Sequence, residues 1–89
     1  MNKYLRNNRT ITGRLDDELV MMDIEKGQYF ALNPVASSIW EFLNSPRSID
    51  DLCFLLQGEY EVDYALCREE TVACLDEMIR LGIVLEDYE

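Results

Sequence analysis

A chain of 89 residues with 18 acidic against 8 basic residues, a formal net charge of −10, is one domain too small for a deep catalytic cavity. That charge disfavours phosphate backbones and anionic membrane surfaces, whose binding rests on Lys and Arg. The chain contains no histidine, which removes Ser–His and Cys–His nucleophile pairs and any histidine-held metal.

The first nine residues, MNKYLRNNR, are polar and basic, and are expected to form a loose arm (1–9) in which Tyr4 and Leu5 touch the body at most. The domain proper is expected over 10–89. Thr10 to Arg14 alternates and is rich in β-branched residues, as a strand requires, and Asp16-Asp17 reads as a turn. Leu19 to Ile24 is a second strand. Glu25-Lys26-Gly27 closes a hairpin, with Gly27 supplying a positive φ. Gln28 to Leu32 is the third strand, and hairpin connections give the sheet order 1-2-3.

Three helices follow. Asn33 is a strong N-cap, and Pro34 suits the first helical position because it lacks an N–H that would be orphaned there. Val35, Ala36, Ile39, Trp40 and Leu43 recur with helical period, with Trp40 read as core, and Ser45-Pro46 stops the helix. Ser48 caps the second helix, whose stripe is Ile49, Leu52, Cys53 and Leu56, and Gly58 is read as its end. Asp50 and Asp51 fit its first turn as dipole partners rather than as general acids. The third helix spans about Ala65 to Leu81, with Gly82 as terminator and Ile83-Val84-Leu85 returning to the core.

The expected class is therefore α+β: a three-stranded antiparallel meander followed by a three-helix bundle, winged-helix-like. A DNA-reading third helix carries Lys and Arg. This one carries Glu69, Glu70, Asp76 and Glu77, so a shared scaffold does not bring DNA binding with it. Cys53, Cys67 and Cys74 include no CxxC pair, and their odd number reads as reduced thiols in a cytoplasmic protein. Cys67 and Cys74 are seven apart, too far to bridge within a regular helix. No metal and no cofactor are expected.

The run Tyr29-Phe30-Ala31-Leu32 is apolar at every position. A half-exposed strand alternates instead. In the meander order this strand is an edge, yet it carries neither charge nor proline, the usual guards against added strands. Three readings stand: a strand covered on both faces beneath the arm, an edge paired with a second copy, or a rail for a visiting peptide.

The arrangement Asp23-x-x-x-Gly27-x-Tyr29-x-x-Leu32-Asn33, then Ile39-Trp40-x-x-Leu43, Pro46-x-Ser48-Ile49-x-x-Leu52, Tyr60 and Leu81-Gly82-Ile83-Val84 resembles the PqqD-like proteins. These RiPP recognition elements bind the leader segment of a ribosomally made precursor peptide. The resemblance covers roughly Ile11 to Leu85. It implies strand addition without catalysis, the leader pairing with Gln28, Tyr29, Phe30, Ala31 and Leu32. The facing wall is expected from Val72, Leu75, Asp76, Ile79 and Arg80. Asp76 and Arg80 would read charges on the leader, or simply pair with each other. Tyr29 is assigned to the peptide groove.

A free-standing domain of this length is similar to the leader-binding proteins of lasso-peptide clusters. The implied partners are the precursor leader, a separate leader peptidase and a cyclase. No nucleic acid and no membrane are expected, and the chain is read as a monomer or weak dimer. The alternatives are a PQQ-pathway peptide chaperone and a winged-helix domain for DNA binding or dimerisation.

Overall fold

The computed structural model describes residues 2–16 and 18–88, the last by its backbone alone. The expected turn at Asp16-Asp17 falls partly outside them. The elements in order are β1 (Asn2–Arg6), β2 (Ile11–Leu15), β3 (Glu18–Asp23), β4 (Gln28–Leu32), α1 (Pro34–Phe42), α2 (Ile49–Glu59), α3 (Tyr64–Arg80) and β5 (Val84–Tyr88). The class is α+β, and β2-β3-β4 is the expected antiparallel meander.

Local chemistry accounts for most boundaries. Gly27 turns the β3–β4 connection at φ 65°. The Asp23 carboxylate accepts from the N–H groups of Glu25 and Lys26 at 3.0 and 3.2 Å, which fixes the same turn. The Asn33 side chain accepts from the Ala36 N–H at 2.8 Å and starts α1. Ser48 and Asp51 form a reciprocal capping box on α2. Asp63 caps α3 through the Leu66 N–H. Gly82, at φ 81°, ends it in a Schellman arrangement: Ile83 donates to the Met78 carbonyl and Gly82 to that of Ile79. Gly58 does not end α2, which runs one residue further to Glu59.

The inner face of the meander packs on the helices. Register sets Leu19 opposite Leu32 and Met21 opposite Phe30. Leu19 and Met21 are buried, and they join Ile39, Trp40, Leu52, Leu75 and Met78 in one core. The outer face holds Met22 beside Tyr29 and Val20 beside Ala31. This resolves the fully apolar strand: its two residue sets serve different faces, and nothing among the described residues covers the outer one.

The N-terminal segment departs from the sequence reading. It is not a loose arm but β1, paired antiparallel with β5 from Asn2 opposite Tyr88 to Arg6 opposite Val84. Tyr4 is buried in the core, and its backbone exchanges hydrogen bonds with Arg47 at 2.7 and 3.0 Å. The Arg6 guanidinium lies 4.8 Å from the Trp40 ring centre and donates to the Trp40 carbonyl at 2.7 and 2.9 Å. Asn7 ties the following loop to Gly82 and Ile83. A partner strand some eighty residues away supplies the order that local composition does not announce.

Candidate functional site: the edge of β4 and its groove

β4 is the last strand of its sheet. Only β3 pairs with it among the described residues, so one side of its backbone has no ladder partner. In an antiparallel edge strand, alternate residues turn their N–H and C=O groups outward. Such groups are free to accept another strand.

Beside this edge lies an open groove of about 750 Å³. Phe30, Ala31 and Leu32 of β4 form one side. Asn33 through Ala36, at the start of α1, close one end. The opposite wall is α3, through Glu70, Ala73, Cys74, Glu77, Met78 and Leu81. These six recur at alternating steps of three residues and one, the stripe expected on one face of a 3.6-residue helix.

The structure therefore brings only part of the expected site together. Phe30, Ala31 and Leu32 line the groove, whereas Gln28 and Tyr29 do not. Tyr29 stands on the outer face, 70% exposed. The expected wall lies elsewhere on α3: Val72, Leu75, Asp76, Ile79 and Arg80 are not among the residues that line this groove. Leu75 is in the core, Val72 and Ile79 are half-buried, and Asp76 and Arg80 are exposed. Arg80 pairs with Glu77 at 3.1 Å rather than with Asp76. Helical period defines stripes but does not say which one faces the sheet. The missed stripe did carry a signal, the adjacent small residues Ala73 and Cys74, which leave room where larger side chains would fill it.

The groove is apolar inside and acidic at its border. Among the described residues, Glu70 and Glu77 are its only charged lining residues. Cys74 sits half-buried between them, its Sγ 3.8 Å from the Met78 sulfur. Burial, and then the nearby Glu77 carboxylate, push its thiol pKa up from 9.0. Cys53 is raised too, first by burial, although Thr71 pulls the other way through a weak hydrogen bond. Both thiols favour their neutral form. The groove offers main-chain hydrogen bonds along β4 and apolar contact below them.

A family model described as "Coenzyme PQQ synthesis protein D (PqqD)" matches residues 18–84, from the start of β3 into β5. The chain belongs to the PqqD family. No curated protein matches it at the sequence level. Two solved structures share the PqqD-family fold seen here. TbiB1, in complex with the TbiA(beta) leader peptide, is 22% identical, with a TM-score of 0.82 over 96% of this chain and 98% of its own. A lasso peptide synthetase B1, complexed with the leader peptide, is 24% identical, with a TM-score of 0.81 over 92% and 96%. The family match begins after β1 and β2, whereas the two structural matches take in nearly the whole PqqD-like architecture.

Proposed function

We propose that this chain is a non-catalytic carrier: it holds the leader segment of a ribosomally synthesised precursor peptide as an added strand on β4 and presents it to separate maturation enzymes. The unpaired β4 edge beside an open apolar groove carries this reading. An added strand satisfies the outward N–H and C=O groups, each such bond contributing about 1 kcal/mol net. Every second side chain of that strand faces α3, which gives the site its selectivity. Both structurally similar proteins hold a leader peptide, and one is a lasso peptide synthetase, which favours the lasso-peptide pathway over the PQQ pathway. A leader peptidase and a cyclase are the partners that pathway requires, acting with the carrier in the cytoplasm.

The test begins with the peptide that co-purifies from the native host, identified by mass spectrometry and then synthesised. Amide hydrogen exchange is followed along residues 28–32 with and without it. Alternate β4 amides are expected to exchange fast in the free protein and to become protected when the peptide is added. Unchanged exchange at saturating peptide would refute strand addition. Ala31→Pro, which removes one N–H of the strand, is expected to weaken binding at least about tenfold while circular dichroism still reports intact helices.

A further inference from the structure

The charged residues of the groove point to the chemistry of its occupant. Both are acids, and among the described residues no Lys or Arg lines the cavity. Glu70 and Glu77 lie two turns apart on α3, about 10.5 Å along the axis at 1.5 Å per residue. Between them stand the small residues Ala73 and Cys74. Glu70 enters no ion pair among the described residues, whereas Glu77 is held by Arg80 in a surface pair with side chains 58% and 75% exposed. Surface pairs of this kind are weak and exchange partners readily. An anionic strand would meet two carboxylates here on a protein whose net charge is −10.

We propose that the segment bound in this groove carries at least one Lys or Arg on its α3-facing side, set against Glu70 or Glu77, with an apolar side chain two residues away lying over Ala73 and Cys74. This deepens the strand-addition reading and rests on it. Same-face side chains of a strand recur every ~6.7 Å, so a long basic side chain spans from an apolar position over the middle of the stripe to a carboxylate at either end. The apolar contact supplies affinity, and the carboxylates choose among apolar strands by charge.

The experiment selects random dodecamers from a display library against the immobilised, unmodified protein, and in parallel against the Glu70→Gln/Glu77→Gln double variant. Both positions are exposed, so the variant is expected to fold normally, which circular dichroism checks. Selection on the unmodified protein is expected to enrich peptides with Lys or Arg two positions from an apolar residue. The double variant is expected to lose the basic preference and keep the apolar one. A synthetic selected peptide should bind the double variant about tenfold or more weakly, and replacing its basic residue with Gln should have a similar effect. Selected peptides without excess Lys or Arg, or the same basic enrichment on the double variant, would overturn the inference and leave strand addition standing. Failure of any peptide to be selected by the folded protein, with β4 exchange unchanged by the co-purified peptide, would overturn both.

Discussion

Cys74 reports on the groove from inside it. Cys53 and Cys67 are sealed in the core, whereas Cys74 is half-buried on the α3 stripe that faces β4. Access favours Cys74 as the site of alkylation, but chemistry slows the reaction. The thiolate is the nucleophile, and burial together with Glu77 holds the thiol neutral at pH values where a free cysteine has begun to ionise. Iodoacetamide labelling followed by peptide mass spectrometry is therefore expected to modify Cys74 first, slowly at pH 7.5 and faster as pH rises past 9. Glu77→Gln removes the smaller of the two causes and should speed labelling at pH 8. A strand seated over Ala73 and Cys74 should suppress it. Equal labelling of Cys53 or Cys67 under native conditions would contradict the burial on which this rests.

The elements divide by the range of the forces that make them. α1, α2 and α3 were readable because their ends are local: Asn33 with Pro34, Ser48 with Asp51, and Gly82 each act within a few residues. The meander was readable for the same reason, through the alternation of β2 and the tight turn at Gly27. β1 was not, because its order comes from β5, Arg47 and Trp40, all distant in the chain. The α3 wall was not readable because choosing between stripes requires knowing how the helix is rotated against the sheet. Phe30, Ala31 and Leu32, which line the groove, were singled out because the strand containing them breaks the usual rule for edges. The β1 clasp gives a sharp contrast between the two readings. A loose arm predicts that deleting residues 1–9 changes nothing. The structure predicts a large loss, since Tyr4→Ala alone should cost about 3 kcal/mol, the scale of a buried aromatic truncated to alanine. Arg6→Ala should cost about 1–2 kcal/mol through its lost bonds to the Trp40 carbonyl and its lost stacking. Urea denaturation of the three variants checks both values; unaltered midpoints would restore the loose arm.

At the scale of the molecule, the titration of the buried thiols couples to folding on the alkaline side. Cys53 and Cys74 both have pKa values raised by burial in the folded chain, whereas unfolding exposes them to water. Just above pH 9 the unfolded state has therefore released thiol protons that the folded state keeps. Stability then falls with rising pH, because the folded state binds more protons than the unfolded one. The contribution is fully present below the unfolded thiol pKa and is lost as pH climbs through the folded one. Tyr64 is pushed the same way by its hydrogen bond to Asp50, but it lies at the surface and water screens the effect. Deprotonation also deepens a net charge that is already −10, adding self-repulsion that salt weakens. Two signatures separate these causes. Urea midpoints should fall between pH 8 and pH 10.5, and raising NaCl should recover only the part due to repulsion. A variant carrying Cys53→Ala and Cys74→Ala should start less stable, because Cys53 fills the core, yet show a shallower loss with pH. An equally steep loss in that variant would place the alkaline transition on other groups.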